Sequence, residues 1–330
     1  MDEHAKVVVL GHAIVDVLAT CPDDTVSSLG LEKGTMSVVE GARASDLYAA
    51  IEPETHASGG SAANTAAGLA SLGESVRFIG RVADDDLGRL FTDDIRRAGV
   101  RFDGRPVDGG EPTGRCLVLV TPDAEKTMCT SLGAGAEMGP DDIDEAAVAG
   151  AQVLYMEGYV WGPQPTTSAA EKAIAAARRS DTLVAFSASD PGWVSFQRDA
   201  LLDLLGQADL LFANEPEALG LSGEDDLDKA VARLLESCPT VVVTLGAKGC
   251  LVASRDGSRV ERPAAPVDKV VDTTGAGDSF AAGYLYGLVN DLGADTAAAI
   301  GATVASEVVG HLGARAGVDL RRLVAGAGLI

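Results

Sequence analysis

Short apolar runs rich in β-branched residues alternate with longer alanine-rich segments along this 330-residue chain. That rhythm limits the possible folds more than any other feature. The strand candidates are Lys6–Leu10, Val76–Ile79, Leu117–Val120, Val153–Met156, Leu183–Phe186, Leu210–Phe212, Val241–Thr244 and Cys250–Ala253. Several are uninterrupted apolar runs, as expected of strands buried on both faces of a sheet. Helical patterns lie between them at Ala62–Leu72, Leu87–Ala98, Ala169–Arg179, Arg198–Gln207, Leu227–Glu236 and Asp278–Val289. Strand–helix alternation predicts a three-layer α/β fold with a mainly parallel central sheet. Val15–Ala44 and Arg101–Thr130 break the rhythm and carry no strong helical pattern. They read either as a small β appendage inserted twice or as two long surface loops; structureless loops of that length are uncommon unless functional.

Acidic residues number 49 against 26 basic ones, a formal net charge of −23. Such a field repels nucleic-acid backbones and anionic lipid, so neither is expected as a partner. It also poses a problem, because any phosphate-bearing ligand would need fixed dipoles or a metal ion to offset the charge. The five cysteines show no metal-site or disulfide spacing, which suits a reducing cytoplasmic setting. Met1-Asp2-Glu3-His4 is not a basic leader, and no apolar run is long enough for a membrane span.

The sharpest string is Asp272-Thr273-Thr274-Gly275-Ala276-Gly277-Asp278, between the run Val267–Val271 and the helical segment from Ser279. A small-residue turn entering a helix leaves N–H groups pointing outward, and the helix dipole adds positive potential. This is an anion site built without a lysine or arginine. Asp278 is either an ordinary early-helix acid or a carboxylate that takes a proton from a hydroxyl during phosphoryl transfer. No Walker A string occurs, and Phe280 stands where a dinucleotide fingerprint needs its last glycine.

Two other strings have a chemical and a plain reading. Gly59-Gly60-Ser61-Ala62-Ala63-Asn64 lets a ligand approach the backbone beside an amide that both donates and accepts, or is a glycine turn capped by Ser61. Asp16, just past the first strand, can grip a diol or simply face water.

The seven-residue string resembles the C-terminal signature of the ribokinase-like carbohydrate and nucleoside kinases, the PfkB family. That resemblance implies Asp278 as catalytic base and the backbone of Gly275, Ala276 and Gly277 as anion hole. Gly59–Ala66 resembles the family's N-terminal signature, implying acceptor contacts from Gly59, Gly60, Ser61 and Asn64, with Asp16 gripping the sugar hydroxyls. Asn214-Glu215-Pro216-Glu217, which alone would pass as a helix start, matches the motif that organises Mg²⁺; Asn214 and Glu217 are the carried positions, the latter through water. Val243–Gly249 resembles the nucleotide loop, placing Thr244, Gly246 and Gly249 at ATP with Thr274, and leaving Lys248 exposed. Gly313-Ala314-Arg315 matches the loop that closes the adenine side. In some members the position of Asp272 also borders a monovalent cation such as K⁺. The resemblance spans Val7 to Arg315. It implies one ribokinase-like kinase domain over 1–330 with a small β-sheet lid inserted near 15–44 and 101–130, acting as a monomer or as a homodimer through that lid.

Phrases at Gly59–Thr65, Asp123–Gly133, Tyr155–Trp161 and Ser189–Pro191 are similar to a bacterial adenosine kinase-like subgroup, which implies adenosine as acceptor. His12, beside the acceptor pocket, and Ser131 depart from that pattern. Met36, Val38, Cys116, Leu117, Met128 and Trp161 are candidate walls for a base, or equally lid core. A sugar kinase for ribose, fructose or a keto-deoxy sugar acid would need the same diol clamp without the slot, and Arg115 is the lid cation to watch. A third alternative is a binding or regulatory protein that keeps the fold without catalysis.

Overall fold

The computed structural model describes residues 5–330 except Arg105 and Ala124; the reading of Met1–His4 lies outside the described residues. In chain order the strands are β1 (Val7–Leu10), β2 (Ile14–Thr20), β3 (Met36–Val38), β4 (Thr55–Gly59), β5 (Val76–Ile79), β6 (Arg101–Phe102), β7 (Thr113–Val120), β8 (Lys126–Gly133), β9 (Val153–Glu157), β10 (Leu183–Ser187), β11 (Leu210–Asn214), β12 (Thr240–Thr244), β13 (Cys250–Ser254) and β14 (Arg259–Arg262). The helices are α1 (Asp23–Ser28), α2 (Gly41–Ala49), α3 (Ser61–Ser71), α4 (Asp86–Arg97), α5 (Glu145–Ala149), α6 (Thr166–Arg178), α7 (Pro191–Leu205), α8 (Glu215–Ser222), α9 (Leu227–Leu235), α10 (Ala276–Val289), α11 (Gly293–Val308) and α12 (Leu320–Gly326).

The large sheet runs β14-β13-β12-β11-β10-β9-β1-β5-β6, parallel from β6 to β12 with an antiparallel edge at β13 and β14. Its two faces explain the uninterrupted apolar strands. Val8 and Leu10 of β1 pack with Ala173 of α6 and Leu201 of α7 in one core. Val7 and Val9 pack with Leu69 of α3 and Leu285 of α10 in the other. Alternate side chains point to opposite faces, so every position of a central strand must be apolar. Each such valine or leucine contributes about 1.5–3 kcal/mol by full burial.

A second sheet, β3-β8-β7-β2-β4, draws on both segments that break the rhythm. It reaches further than 15–44, because β4 extends to Gly59, and Arg101–Phe102 belongs to the large sheet instead. One face is covered: Val15, Val17 and Leu117 enter the core beside Leu47 of α2. The opposite face stays open and carries Asp16, Cys116 and Met128 at partly exposed positions. Leu117 and the buried Trp161 are therefore core residues and not walls of an open slot. Ser131, paired in register with Arg115, also lies on the covered face.

One helix that carries weight here escapes the pattern reading. The alanine- and glycine-rich α11 offers little contrast between faces, and its partner α10 supplies the packing that defines it. Gly283 and Gly301 meet where the two cross: a Cβ at Gly283 would lie 2.7 Å from the Cα of Gly301. Gly283→Val is expected to force the helices apart and cost about 1–3 kcal/mol by overpacking, read as a lower midpoint in urea unfolding at unchanged slope. An unchanged midpoint would mean that the crossing tolerates a side chain.

Candidate active site

β1 has β5 on one side and β9 on the other, and the chain leaves it in opposite directions across the sheet. Open α/β sheets bind ligands at such a switch point, beyond the carboxyl ends of the strands. His12 follows β1, Glu157 ends β9, and Asn214 and Thr244 end β11 and β12 side by side.

Glu157 organises this edge, and sequence reasoning passed it over. It is 2% exposed. Its Oε1 accepts the His12 N–H at 2.8 Å and His12 Nδ1 at 2.6 Å, and its Oε2 accepts the Ala62 N–H at 2.9 Å. The signal was a carboxylate closing an otherwise apolar run. His12 is thus turned inward, with Nδ1 committed to Glu157.

Asp278 lies in the first turn of α10, and its side chain meets α3. Ser61 Oγ donates to Oδ1 at 2.7 Å and Asn64 Nδ2 donates to Oδ2 at 3.3 Å. Ser61 is therefore not the cap of its own helix; Gly60 holds that position without a side-chain bond. Burial pushes the Asp278 carboxyl up to about 6, with Glu157 and Asp16 adding repulsion and the bonds from Ser61 and Asn64 opposing it. A carboxylate poised there is a competent proton acceptor near neutral pH.

The turn before α10 leaves backbone N–H groups free. Gly275 has φ +76°, and a Cβ there would lie 2.4 Å from the Ala314 carbonyl oxygen, so only glycine fits. The Ala276 N–H closes the turn on the Thr273 carbonyl at 3.2 Å. The N–H groups of Gly275, Gly277 and Asp278 have no partner among the described residues. The free donors are therefore those three, and Ala276 shapes the turn instead.

Asp272 holds this turn in place. Its Oδ1 accepts from Thr274 N at 3.1 Å and Thr274 Oγ1 at 2.7 Å, and its Oδ2 accepts from Gly313 N at 2.9 Å and from the Lys126 ammonium. Burial opposes its ionisation, but the bonds from Lys126, Gly313 and Thr274 outweigh that and hold the carboxyl below the usual range. A lysine of β8 thus stands against the carboxylate expected to border a monovalent cation. Thr274 is tied back to Asp272, and Thr273 faces the adjoining cavity in its place.

That cavity, about 570 Å³, brings together distant parts of the chain: Thr244, Gly246 and Gly249 on one side, Ala276, Gly277 and Phe280 on another, Ala302 and Val309 behind. No charged residue among those described lines it. An apolar slot ending at free N–H groups fits a nucleotide with its base in the slot and its phosphates on the turn. Gly313–Arg315, expected as an adenine-side loop, is not among the residues lining this cavity and packs against the turn at Gly275 and Asp272. Arg315 instead reaches across to Asn64 and Ser58.

Asn214 and Glu217 form a capping box at α8. Glu217 Oε2 accepts the Asn214 N–H at 2.9 Å, Oε1 accepts Asn214 Nδ2 at 2.6 Å, and Asn214 Oδ1 accepts the Glu217 N–H at 2.9 Å. Burial, with repulsion from Asp190 and Asp278, pushes the Glu217 carboxyl up to about 7. Unrelieved acidic repulsion of this kind fits a nearby hydrated cation. No group of three or more metal-ligating side chains occurs among the described residues. Lys248 is exposed.

Asp16 opens onto the cleft from β2 beside Gly59, where a Cβ would come within 2.2 Å of its Oδ2. Burial pushes its carboxyl up to about 6, against the opposing charges of Arg315 and Lys126. Its carboxylate has no hydrogen-bond partner among the described residues, as suits one awaiting hydroxyl donors. Arg115, the lid cation singled out from sequence, lies on the covered face, over the Tyr48 ring at 5.6 Å and 3.2 Å from Ser45 Oγ.

A nucleotide-sized apolar slot, free N–H groups on a helix start and a raised carboxylate in the first turn of that helix are the features of an ATP-dependent kinase of ribokinase-like fold. The chain matches the pfkB family of carbohydrate kinases over residues 5–321, and it belongs to that family. It is 41% identical to an adenosine kinase from Sinorhizobium meliloti, with a TM-score of 0.90 and coverage of 98% of this chain and 99% of that one. A probable sugar kinase from Rhizobium etli gives 37% identity, a TM-score of 0.91 and coverage of 99% of both chains. An ATP-dependent ribose-1-phosphate kinase of Halopiger xanaduensis is 35% identical over 247 residues, covering 74% of this chain and 78% of that protein. The protein is accordingly a kinase acting on sugars or nucleosides, in a family that uses ATP and usually Mg²⁺. No helix among the described residues is long and apolar enough to cross a membrane.

Asp278→Asn should lower kcat about 10²–10⁴-fold, the usual worth of a positioned base, while acceptor binding measured by calorimetry survives. In the unaltered enzyme the base must be ionised, so kcat is retained above the Asp278 pKa and lost as pH falls through about 6. Near-normal turnover in the variant, or a flat profile from pH 5 to 8, would remove Asp278 from the role.

Proposed function

We propose that the protein transfers the γ-phosphoryl group of ATP to the hydroxymethyl oxygen of a neutral, ribose-bearing acceptor, and that adenosine, giving AMP, is that acceptor. The observation that carries the reading is the position of Asp278, held by Ser61 and Asn64 on the acceptor side while Gly277 next to it lines the nucleotide cavity. Asp16 grips the ribose diol with Gly59, Gly60 and Asn64 around it. Asp278 takes the hydroxymethyl proton, and the N–H groups of Gly275 and Gly277 bear on the transferring group's charge. Asn214 and Glu217 would hold Mg²⁺ through its waters, and the bound ion would supply charge neutralisation at the phosphates. The small sheet acts as a lid within a single kinase domain, excluding water when the acceptor is in place.

Electrostatics support a neutral acceptor. Lys126 is spent on Asp272, and Arg315 on Asp94, Ser58 and Asn64. Asp16 and Asp278 keep their charges without a paired cation. One added negative charge about 4 Å from either carboxylate costs roughly 4 kcal/mol at the effective dielectric of a protein surface. That weighs against a sugar phosphate or sugar acid and leaves nucleosides and free sugars. Similarity to the Sinorhizobium adenosine kinase over nearly the whole chain favours the nucleoside. So does the open face of the small sheet, where Met36 and Val38 are 45% and 67% exposed and offer apolar surface for a base. The likeness to the probable sugar kinase keeps fructose and ribose as the second reading.

An ATP-consumption screen over adenosine, ribose, fructose and ribose 1-phosphate tests this. Adenosine should give the highest kcat/KM. Turnover of ribose or fructose without adenosine would overturn the acceptor, and preference for ribose 1-phosphate would overturn the neutrality argument. Asp16→Ala should raise the acceptor KM about 10- to 100-fold, the worth of hydrogen bonds to a charged group, with little change in the KM for ATP. An unchanged acceptor KM would take Asp16 out of the clamp.

A further inference from the structure

Arg315 leaves the C-terminal loop and ends beside the acceptor cleft, where the chemistry above gives it no task. Its Nε donates to Asn64 Oδ1 at 3.1 Å. Its Nη1 donates to Ser58 Oγ at 2.8 Å and lies 3.5 Å from Asp94 Oδ2. Ser58 gives its own N–H and O–H to that same Asp94 oxygen at 2.9 and 2.7 Å. Asn64 continues the chain through Nδ2 to Asp278 Oδ2. The remaining nitrogen, Nη2, is buried without a partner among the described residues, while the side chain as a whole is 22% exposed.

Every direction in this chain is forced. A guanidinium only donates and an ionised carboxylate only accepts, whereas an asparagine amide has one end of each kind. Asn64 can satisfy both neighbours only with Oδ1 toward Arg315 and Nδ2 toward Asp278. Reversed, it would set oxygen against the Asp278 carboxylate and NH₂ against the guanidinium.

We propose that Arg315 is a positioning residue for the base: it locks the Asn64 amide in the orientation that donates to Asp278, with Ser58 and Asp94 as its anchor. The proposal rests on Asp278 being the base. It gives the C-terminal loop a role on the acceptor side, and it ties α4 and the edge strand β4 to the start of α10.

The neighbourhood of Asp278 makes this donor matter. Glu157 and Tyr155 face it from β9, Tyr159 from just beyond that strand, Asp16 from β2 and Glu217 from α8. The carboxylates Glu157, Asp16 and Glu217 disfavour a charged Asp278, whereas the two tyrosines stay neutral, burial having pushed their hydroxyls well above the usual range. Ser61 and Asn64 are the side chains that donate to it among the described residues. Freeing the Asn64 amide removes one of those two donors.

The test is Arg315→Ala, with two readouts: titration of the Asp278 carboxyl by carbon-13 NMR in the resting enzyme, assigned with Asp278→Asn, and the pH profile of kcat. The titration midpoint and the acid limb of kcat should both move up by about half to one pH unit, the size of a lost hydrogen bond to the charged form. The loss in kcat should be greatest near pH 6 and shrink above pH 8, with the KM for ATP unchanged. Arg315→Lys keeps the charge but not the paired donors, and it should retain most of the shift. Should the alanine variant fail to fold, Arg315→Lys and Ser58→Ala carry the measurement, the latter with a smaller shift in the same direction. An Asp278 titration unmoved in folded Arg315 variants, or a kcat loss uniform across pH, overturns the proposal. Full activity of Asp278→Asn would instead sink the base assignment, and the titration readout separates the two failures.

Discussion

A carboxylate with almost no access to water sits where three segments of the chain meet. Glu157 ends β9, and its two oxygens collect the main chain and ring of His12 after β1 and the Ala62 N–H in the first turn of α3. A buried carboxylate is costly unless each oxygen is satisfied. Its partners are therefore not optional, and they fix the start of α3 against the ends of β1 and β9. A Cβ at Gly11 would fall 2.8 Å from Glu157 Oε2, so the chain must also pass this point as glycine. From that junction α3 presents Ser61 and Asn64 to Asp278, and the acceptor side follows.

The second constraint is electrostatic. A chain of net charge −23 that handles ATP has to hold phosphate without a field of lysines. In the proposed function this falls to backbone N–H groups at the start of α10, whose partial charges are fixed by the fold and carry no flexible side chain. The nearby cations are engaged within the protein: Lys126 pairs with Asp272 under the turn, and Arg315 bonds to Asn64 and Ser58 beside Asp94. What remains for ligands is an apolar slot, free N–H groups and two raised carboxylates. That combination suits a neutral polyol on one side and a nucleotide on the other.

Much of this was legible before any coordinates. Continuous apolar runs marked the parallel strands, because a central strand buried on both faces has no polar position. The turn from Asp272 to Asp278 announced itself because several small residues in a row before a helix have few other uses. Residues whose role depends on a distant partner were harder. Arg315 read as part of an adenine-side loop, since the string Gly-Ala-Arg says nothing about where a long side chain ends. Arg115 read as a cation for the cleft, yet one step in strand register puts it on the covered face against Tyr48. Thr274 read as a nucleotide contact but is tied back to Asp272 two residues away.

The sequence by itself determined the layered α/β plan and the small-residue turn that leads through Asp278 into a helix, because these depend on local periodicity and small-residue geometry. Only the tertiary structure decided which side chains share that carboxylate's surroundings. Ser61 and Asn64 meet Asp278 across more than two hundred residues, Lys126 meets Asp272 across 146, and Glu157 joins His12 across 145. Such contacts are set by how α3, α10 and the small sheet pack on the large one, and no local pattern in the chain encodes where a packed helix will aim its side chains.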